Sequence, residues 1–243
     1  MNELLGFEAS KSGEMYNDLA TVFMRARQRA VKLTQQYNRL YGEDEEKRMA
    51  VLNDLLGSVG ETIFFEPDFR CEFGKNIHIG DRFYANFDCI LLDGGEIFIG
   101  DDVLFGPRVG IFTTNHAIDA TEQAAGGCYS KNVTIGDDVW LGANVTINQG
   151  VTIGKNTIVG SGSVVTKSLP ESVIAVGNPC RVLREITEKI KRTTFSARSN
   201  FLNGFEQTLV PFYGKLTFEW SGDQWQITVI RLTKIGHMKR LRR

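Results

Sequence analysis

The sequence predicts a mainly β protein: a solenoid of short strands with a helical segment in front of it. Two observations carry this. From residue 135 the chain reads IGDDVW, LGANVT, INQGVT, IGKNTI, VGSGSV, VTKSLP, six consecutive blocks of six residues. Each opens on an aliphatic residue (Ile135, Leu141, Ile147, Ile153, Val159, Val165), and five have Val, Thr or Ser in fifth place. A period of six is neither that of a helix nor that of strand alternation. It fits short strands joined by tight turns, each block forming one side of a coil whose aliphatic residues line the core. Before this tract the spacing is instead three and four, which is helical.

In chain order, residues 15–41 place Leu19, Val22, Phe23, Ala26, Ala30, Leu33 and Tyr37 on one helical stripe, and residues 45–59 do the same with Met49, Leu52, Leu56 and Val59. YGEDEE between them supplies a glycine stop and an acidic helix start. The six-residue pattern begins less cleanly at Ile79 (IGDRFY), Ile99 (IGDDVL) and Phe105 (FGPRVG). Gly or Asn at the turns tolerates positive φ. Residues 113–132, TTNHAIDATEQAAGGCYSKN, are too long for a repeat turn and too polar for the core; a long loop ejected from a rigid scaffold often carries function. Near the end, KLTFEWSGDQWQITVIRL alternates apolar and polar residues around SGD and reads as a β-hairpin. The expected organisation is a helical cap over 1–60, a solenoid over 61–187 with the extended loop 113–132, and a C-terminal tail over 188–243.

Hydrophobic residues make up 42% and charged residues 23%, the balance of an ordinary globular protein, and the net charge of −1 favours neither nucleic acid nor an anionic membrane. The basic end, HMKRLRR, reads as a solvated tail. No apolar run reaches the roughly 18 residues of a membrane helix, and the N-terminus lacks the basic start and long apolar centre of a secretory signal. Cys71, Cys89, Cys128 and Cys180 show no CxxC pairing, which suggests neither a zinc site nor a disulfide framework. The expectation is a reduced, cytoplasmic protein that binds no metal, nucleic acid or membrane.

The chain resembles the hexapeptide-repeat acyltransferases, and among them the maltose and galactoside O-acetyltransferases. The residues that carry this are FRCEFGKNIHIGDRFYANFDCILLD, VTIGDDVWLGANVTINQGVTIG, GSGSVVTKSLP, GNPCRVLREI and MYND near the start of the helical segment. The resemblance spans roughly residues 4–187. It implies a left-handed parallel β-helix, a homotrimer with active sites between neighbouring subunits, and acetyl-CoA as donor. Two departures stand out: Ala117 follows His116 where the family has proline, and the tail beyond about 190 is longer than in the family.

Acetyl transfer to a hydroxyl needs a base, and neutral imidazole suits that role near pH 7. His116, in the long loop, sits where the family places its catalytic histidine. The resemblance points to Asp18, Glu72, Tyr84, Asn86 and Asp93 as sugar-binding residues, with Asn86 and Asp93 foremost; such side chains pair with vicinal hydroxyls. Cys128 falls beside that pocket. For the donor it points to Trp140, Gly142 and Ala143 on one coil edge, Ser161, Thr166 and Lys167 on the next, and Arg181 and Arg184 after GNPC, arginine being suited to phosphate. No cysteine is placed like a nucleophile beside a base, and Cys128 has no basic neighbour in sequence closer than Lys131, so direct transfer without an acetyl-enzyme is expected.

Other readings are an acetyltransferase of the same fold that modifies an antibiotic or an amino acid such as serine, a catalytically silent scaffold, and a metal-dependent carbonic-anhydrase-like β-helix. The last needs three converging imidazoles. Of the three histidines, His78 is expected to be structural and His237 lies in the basic tail, so this reading has little support.

Overall fold

The computed structural model describes residues 7–42, 44–187, 215–221 and 224–230, the last two as backbone. The chain divides into two units, residues 1–186 and 187–243. The first is a parallel β-solenoid of about six turns. Its strands stack into three faces. Face 1 holds Ser58–Val59, Ile77–Ile79, Ile97–Ile99, Val133–Ile135 and Thr152–Ile153. Face 2 runs from Ile63–Phe65 through Phe83–Ala85, Leu104–Phe105, Trp140–Leu141 and Ile158–Val159 to Val173–Val176, with Arg181–Glu185 added antiparallel at its end. Face 3 holds Arg70–Cys71, Ile90–Leu92, Gly110–Phe112, Thr146–Asn148 and Val164–Val165.

The six-residue blocks explain this stacking. The openers from Ile135 to Val165 are buried, as are the fifth residues Val139, Val145, Val151, Thr157 and Ser163. Both positions therefore point inward, one from a strand and one from a corner. The two polar members are satisfied: Thr157 Oγ1 donates to Pro170 O at 2.9 Å and Ser163 Oγ to Gly160 O at 2.6 Å. Burying each aliphatic side chain is worth about 1.5–3 kcal/mol.

The turns match the sequence expectation at Asn144, Asn156, Gly150 and Gly162 and depart from it elsewhere. Left-handed corner residues are mostly not glycine: Arg82, Asp88, Asp102, Arg108, Asp138, Asn144, Asn156 and Ser172 all have φ between 55° and 62°. Asp and Asn accept that conformation most readily. The glycine in second place of four of the six blocks has another purpose. A Cβ on Gly136 would stand 2.7 Å from Lys155 N, and one on Gly142 2.6 Å from Ser161 N, both on the next coil. Glycine is there because the coils touch. The aspartate after it ties them together: Asp137 Oδ1 accepts from Asp101 N at 2.9 Å, and Asp101 Oδ1 from Asp81 N at 2.8 Å.

The helical segment closes the first coil. Helix α1 spans Thr21–Arg39 and α2 spans Glu45–Leu55, with Asp44 Oδ1 accepting from Glu46 N at its start. Both are shorter than the spacing predicts. Tyr16–Asn17 is a strand, because it pairs with Gly127–Cys128, and Val59 already belongs to face 1. Tyr37, Leu52, Leu55 and Leu56 pack into the same core as Phe65 and Phe69. Arg48 donates to Tyr37 Oη at 2.7 Å and to Phe65 O at 3.0 Å, so this buried cation is held by the cap–solenoid junction. In the second unit Lys215–Ser221 pairs antiparallel with Gln224–Ile230, in a register that sets Ser221 opposite Gln224.

Replacing Gly136 with Ala is expected to lower stability by about 1–3 kcal/mol, the usual effect of overpacking. Thermal unfolding checks this; a melting temperature equal to wild type would mean that the coils have room to part.

Candidate active site

The solenoid keeps time by coils. Ile135 pairs with Ile153 three blocks later, but Ile99 pairs with Ile135 six blocks later. The extra residues leave face 3 after Phe112 and rejoin face 1 at Val133. They form an antiparallel hairpin, Thr114–His116 against Gly127–Ser130, joined through a short helix α3, Ala120–Ala124. The sequence reads this stretch as a loop; its polarity hides the pairing. Asp119 caps α3 by accepting from Thr121 N and Glu122 N at 2.9 and 3.0 Å. Tyr16–Asn17 adds a third strand, with Tyr16 opposite Cys128.

His116 stands exposed at the end of its strand, directly opposite Cys128. Its Nδ1 lies 3.1 Å from Cys128 Sγ. This corrects the sequence expectation that no cysteine has an adjacent base: strand pairing joins two residues that the sequence separates. Ala117 N donates to Gly127 O at 2.9 Å, and Ala117 is 3% exposed. A proline has no N–H for that bond; here the ladder, rather than a fixed φ, holds the chain after His116.

Three of the five sequence-predicted acceptor residues gather beside this hairpin. Arg27 joins two of them, donating to Asp18 Oδ1, to Asp18 O at 3.0 Å, and through Nε and Nη2 to Glu72 Oε1 at 3.0 and 2.9 Å. Glu72 N and Phe73 N in turn donate to Asp93 Oδ1 at 3.0 and 2.8 Å, and Asn76 N to Asp93 Oδ2 at 3.2 Å. Asp93 is fully buried, so its carboxylate shapes the corner from inside. Burial pushes its carboxyl up to about 7, against the pull of those N–H donors. Sequence reasoning missed Arg27. Its signal was there: a cation on the apolar stripe between Phe23 and Ala30 needs a buried partner.

Tyr84 and Asn86 lie elsewhere. Tyr84 is on face 2, stacked on Phe64 at 6.0 Å, its Oη 3.4 Å from Glu66 Oε1. Asn86 is at the corner between faces 2 and 3, with Oδ1 accepting from Phe87 N at 2.8 Å. The donor residues also divide differently from the sequence reading. Gly142, Ala143 and Ser161 share the corner with Asn86, Ala143 N donating to Ser161 Oγ at 3.1 Å. Thr166 and Lys167 are at the hairpin's own corner, where Thr166 lines a polar cleft of about 300 Å³ with Phe112, Thr114, Asn115, Asn148 and Gln149. Arg181 and Arg184 project from an exposed strand. Trp140 is 52% exposed on face 2, in register with Leu104 and Ile158.

Among the described residues His78 is structural. Its ring stacks on Phe98 at 5.0 Å and Nδ1 is 3.0 Å from Ser58 Oγ. His237 lies outside the described residues. The four thiols are buried and all are pushed up by desolvation, Cys89 to about 11. No helix among the described residues is long and apolar enough to cross a membrane.

A family model for the maltose acetyltransferase hexapeptide capping motif matches residues 11–60, and one for the bacterial transferase hexapeptide (six repeats) matches residues 132–167. The chain is 39% identical to the galactoside O-acetyltransferase of Escherichia coli K12, over 77% of this chain and 93% of that protein. A maltose O-acetyltransferase from Clostridium difficile superposes with a TM-score of 0.73 at 45% identity, covering 77% of this chain and 99% of that one. A hexapeptide-repeat acetyltransferase from Vibrio cholerae, solved with acetyl-CoA, gives 0.70 at 38% identity, covering 77% and 100%. The chain belongs to the maltose and galactoside O-acetyltransferase family of hexapeptide-repeat acetyltransferases.

The state of Asp93 makes a testable difference. Its folded pKa is raised, so the stability contributed by the protonated form is fully present below the ordinary carboxylate range and is lost as pH rises through about 7. Unfolding free energies from pH 4 to 8 are expected to fall more steeply for wild type than for Asp93→Asn. Parallel curves would show that Asp93 is ionised in the fold throughout.

Proposed function

We propose that the protein transfers the acetyl group of acetyl-CoA to a hydroxyl of a sugar, and that it works as a cytoplasmic homotrimer. The observation that carries this is His116, exposed at the tip of a strand-paired hairpin beside the Asp18–Arg27–Glu72 ion pairs. Nothing else at that corner combines a free nitrogen lone pair with side chains suited to a polyol.

His116 Nε2 accepts the proton of the acceptor hydroxyl as its oxygen attacks the thioester carbonyl. The thiol of coenzyme A leaves, and the protonated imidazole returns the proton to it. Asp18 and Glu72, their charge balanced by Arg27, accept hydrogen bonds from neighbouring hydroxyls. Asp93 acts through the backbone it fixes. The residues present fit the donor. Arg181, Arg184 and Lys167 are exposed cations for its phosphates, and at the corner of Gly142 and Ala143 the exposed Ser161 is open to its amide arm. Direct transfer is retained despite the Cys128–His116 pair, because Cys128 is fully buried and its thiol is pushed up by burial and by Glu72.

The trimer is supported by the division of the site. His116, Asp18 and Glu72 are at one corner of the prism, Asn86, Gly142 and Ser161 at another, with face 3 between them. A second copy brings one kind of corner against the other. The outward row of Phe64, Tyr84, Leu104, Trp140 and Ile158 on face 2 supplies apolar surface for such packing. The organisation then follows: residues 1–60 close the first coil, 61–187 form the catalytic solenoid with its 113–132 excursion, and 188–243 are an addition outside the chemistry.

Free-thiol release with acetyl-CoA and a panel of sugars tests the reaction. His116→Ala is expected to lower kcat by about 10²–10⁴-fold, the usual worth of a general base, with unchanged affinity for acetyl-CoA. Retention of more than about a tenth of the rate would assign the base elsewhere. Light scattering at micromolar concentration is expected to give the mass of three chains; a fully active monomer would contradict the shared site.

A further inference from the structure

A base needs a particular tautomer as well as a position. A neutral imidazole carries one N–H, and Nε2 of His116 can accept a proton only when that hydrogen is on Nδ1. The two ends of this ring see different surroundings. The Nε2 end belongs to an exposed residue, whereas Nδ1 faces a fully buried one, Cys128, at 3.1 Å. The contact is built by the backbone: His116 and Cys128 are directly opposed in the hairpin, so their side chains share one face.

We propose that Cys128 is the positioning residue of the catalytic histidine, its Sγ accepting the Nδ1–H of His116 and holding Nε2 free for the acceptor hydroxyl. The inference rests on His116 being the base. Proton bookkeeping supports the direction of the bond. Once Nε2 has taken the acceptor's proton, the ring bears an N–H on each nitrogen, and Cys128 can then act toward Nδ1 only as an acceptor. A thiol that donated to Nδ1 in the resting state would leave the hydrogen on Nε2 and block the reaction.

The surroundings keep the sulfur in that role. Burial and the nearby Glu72 hold it protonated, with Arg27 opposing and Tyr16 across the strand. Glu72 and Arg27 are paired with each other, so neither competes for the ring. A neutral thiol orients the imidazole without adding the negative charge that a carboxylate would bring. Cys128 thus has a positioning role that requires no covalent step.

The test combines nitrogen-15 NMR of the imidazoles with kinetics. Three histidines make the spectrum assignable, with His116→Ala as reference. Wild type at neutral pH is expected to show His116 with Nδ1 protonated and Nε2 bare. Cys128→Ala is expected to mix in the Nε2–H form and to lose kcat by about 10- to 100-fold, the size of effect seen when a metal-bound histidine loses its outer hydrogen-bond partner. The Michaelis constants for sugar and acetyl-CoA stay unchanged. Cys128→Ser, whose hydroxyl also accepts, restores both the tautomer and most of the rate. An Nε2–H tautomer in wild type overturns the inference even if no variant folds, and so does a Cys128→Ala enzyme with wild-type kcat. Full activity of His116→Ala removes the base assignment, and this inference with it, while the tautomer measurement still reports on the bond itself.

Discussion

The structure depends on how closely one coil lies on the next. Backbone N–H groups of each coil reach carbonyls of its neighbour at 2.7–3.3 Å, as Gly106 N does to Leu141 O and Gly136 N to Ile153 O. At Gly136, Gly142, Gly154 and Gly160 that spacing leaves no room for a Cβ, which is why glycine recurs in second place there. It also fixes the sequence period. Every side chain must return to the same azimuth after a whole coil, so an aliphatic residue can line the core only if it recurs in register. Parallel stacking of this kind removes the pairing choice that makes isolated strands ambiguous.

A scaffold so constrained tolerates an insertion only where the chain is already turning. The excursion after Phe112 occurs at a corner, between two strands that pair normally with the coils on either side. The excursion remains ordered because it pairs with itself and with Tyr16–Asn17 from the N-terminal segment. The helical cap therefore has two tasks. It covers the first coil through Tyr37 and Leu52, and through Arg27 and Asp18 it furnishes one wall of the polar corner. Electrostatic order there is local: the ion pairs and the buried Asp93 are linked through Glu72, whose side chain meets Arg27 and whose backbone meets Asp93.

Much of this was legible in the sequence, for reasons of period. The blocks from 135 to 170 name their own inward residues. That the stretch carrying His116 leaves the solenoid was legible because it interrupts the count. What the sequence concealed was pairing at a distance. Nothing in TTNHAIDATEQAAGGCYSKN shows that His116 opposes Cys128, since polar strands lack alternation. Helix spacing did not exclude Tyr16–Asn17 from α1, because only its partner at 127–128 makes it a strand. Gly or Asn was expected at the turns, which holds at Asn144, Asn156, Gly150 and Gly162, whereas backbone proximity sets Gly136 and Gly142 and the other non-glycine left-handed corners carry Asp, Arg or Ser. Asp93 was read among the sugar-binding residues; its burial depends on three backbone groups from residues 72–76 that no local pattern announces.

The proposed site takes its two corners from different copies of the chain. Complementation tests it most directly. His116→Ala and Asn86→Ala chains, each expected to lose most of its activity alone, are co-expressed and the mixed oligomers isolated by differential tags. In a mixed trimer one junction has both residues intact, so acetyl transfer is expected to recover. Mixed trimers that form and remain as inactive as their parents would contradict it, and would place the whole site within a single chain.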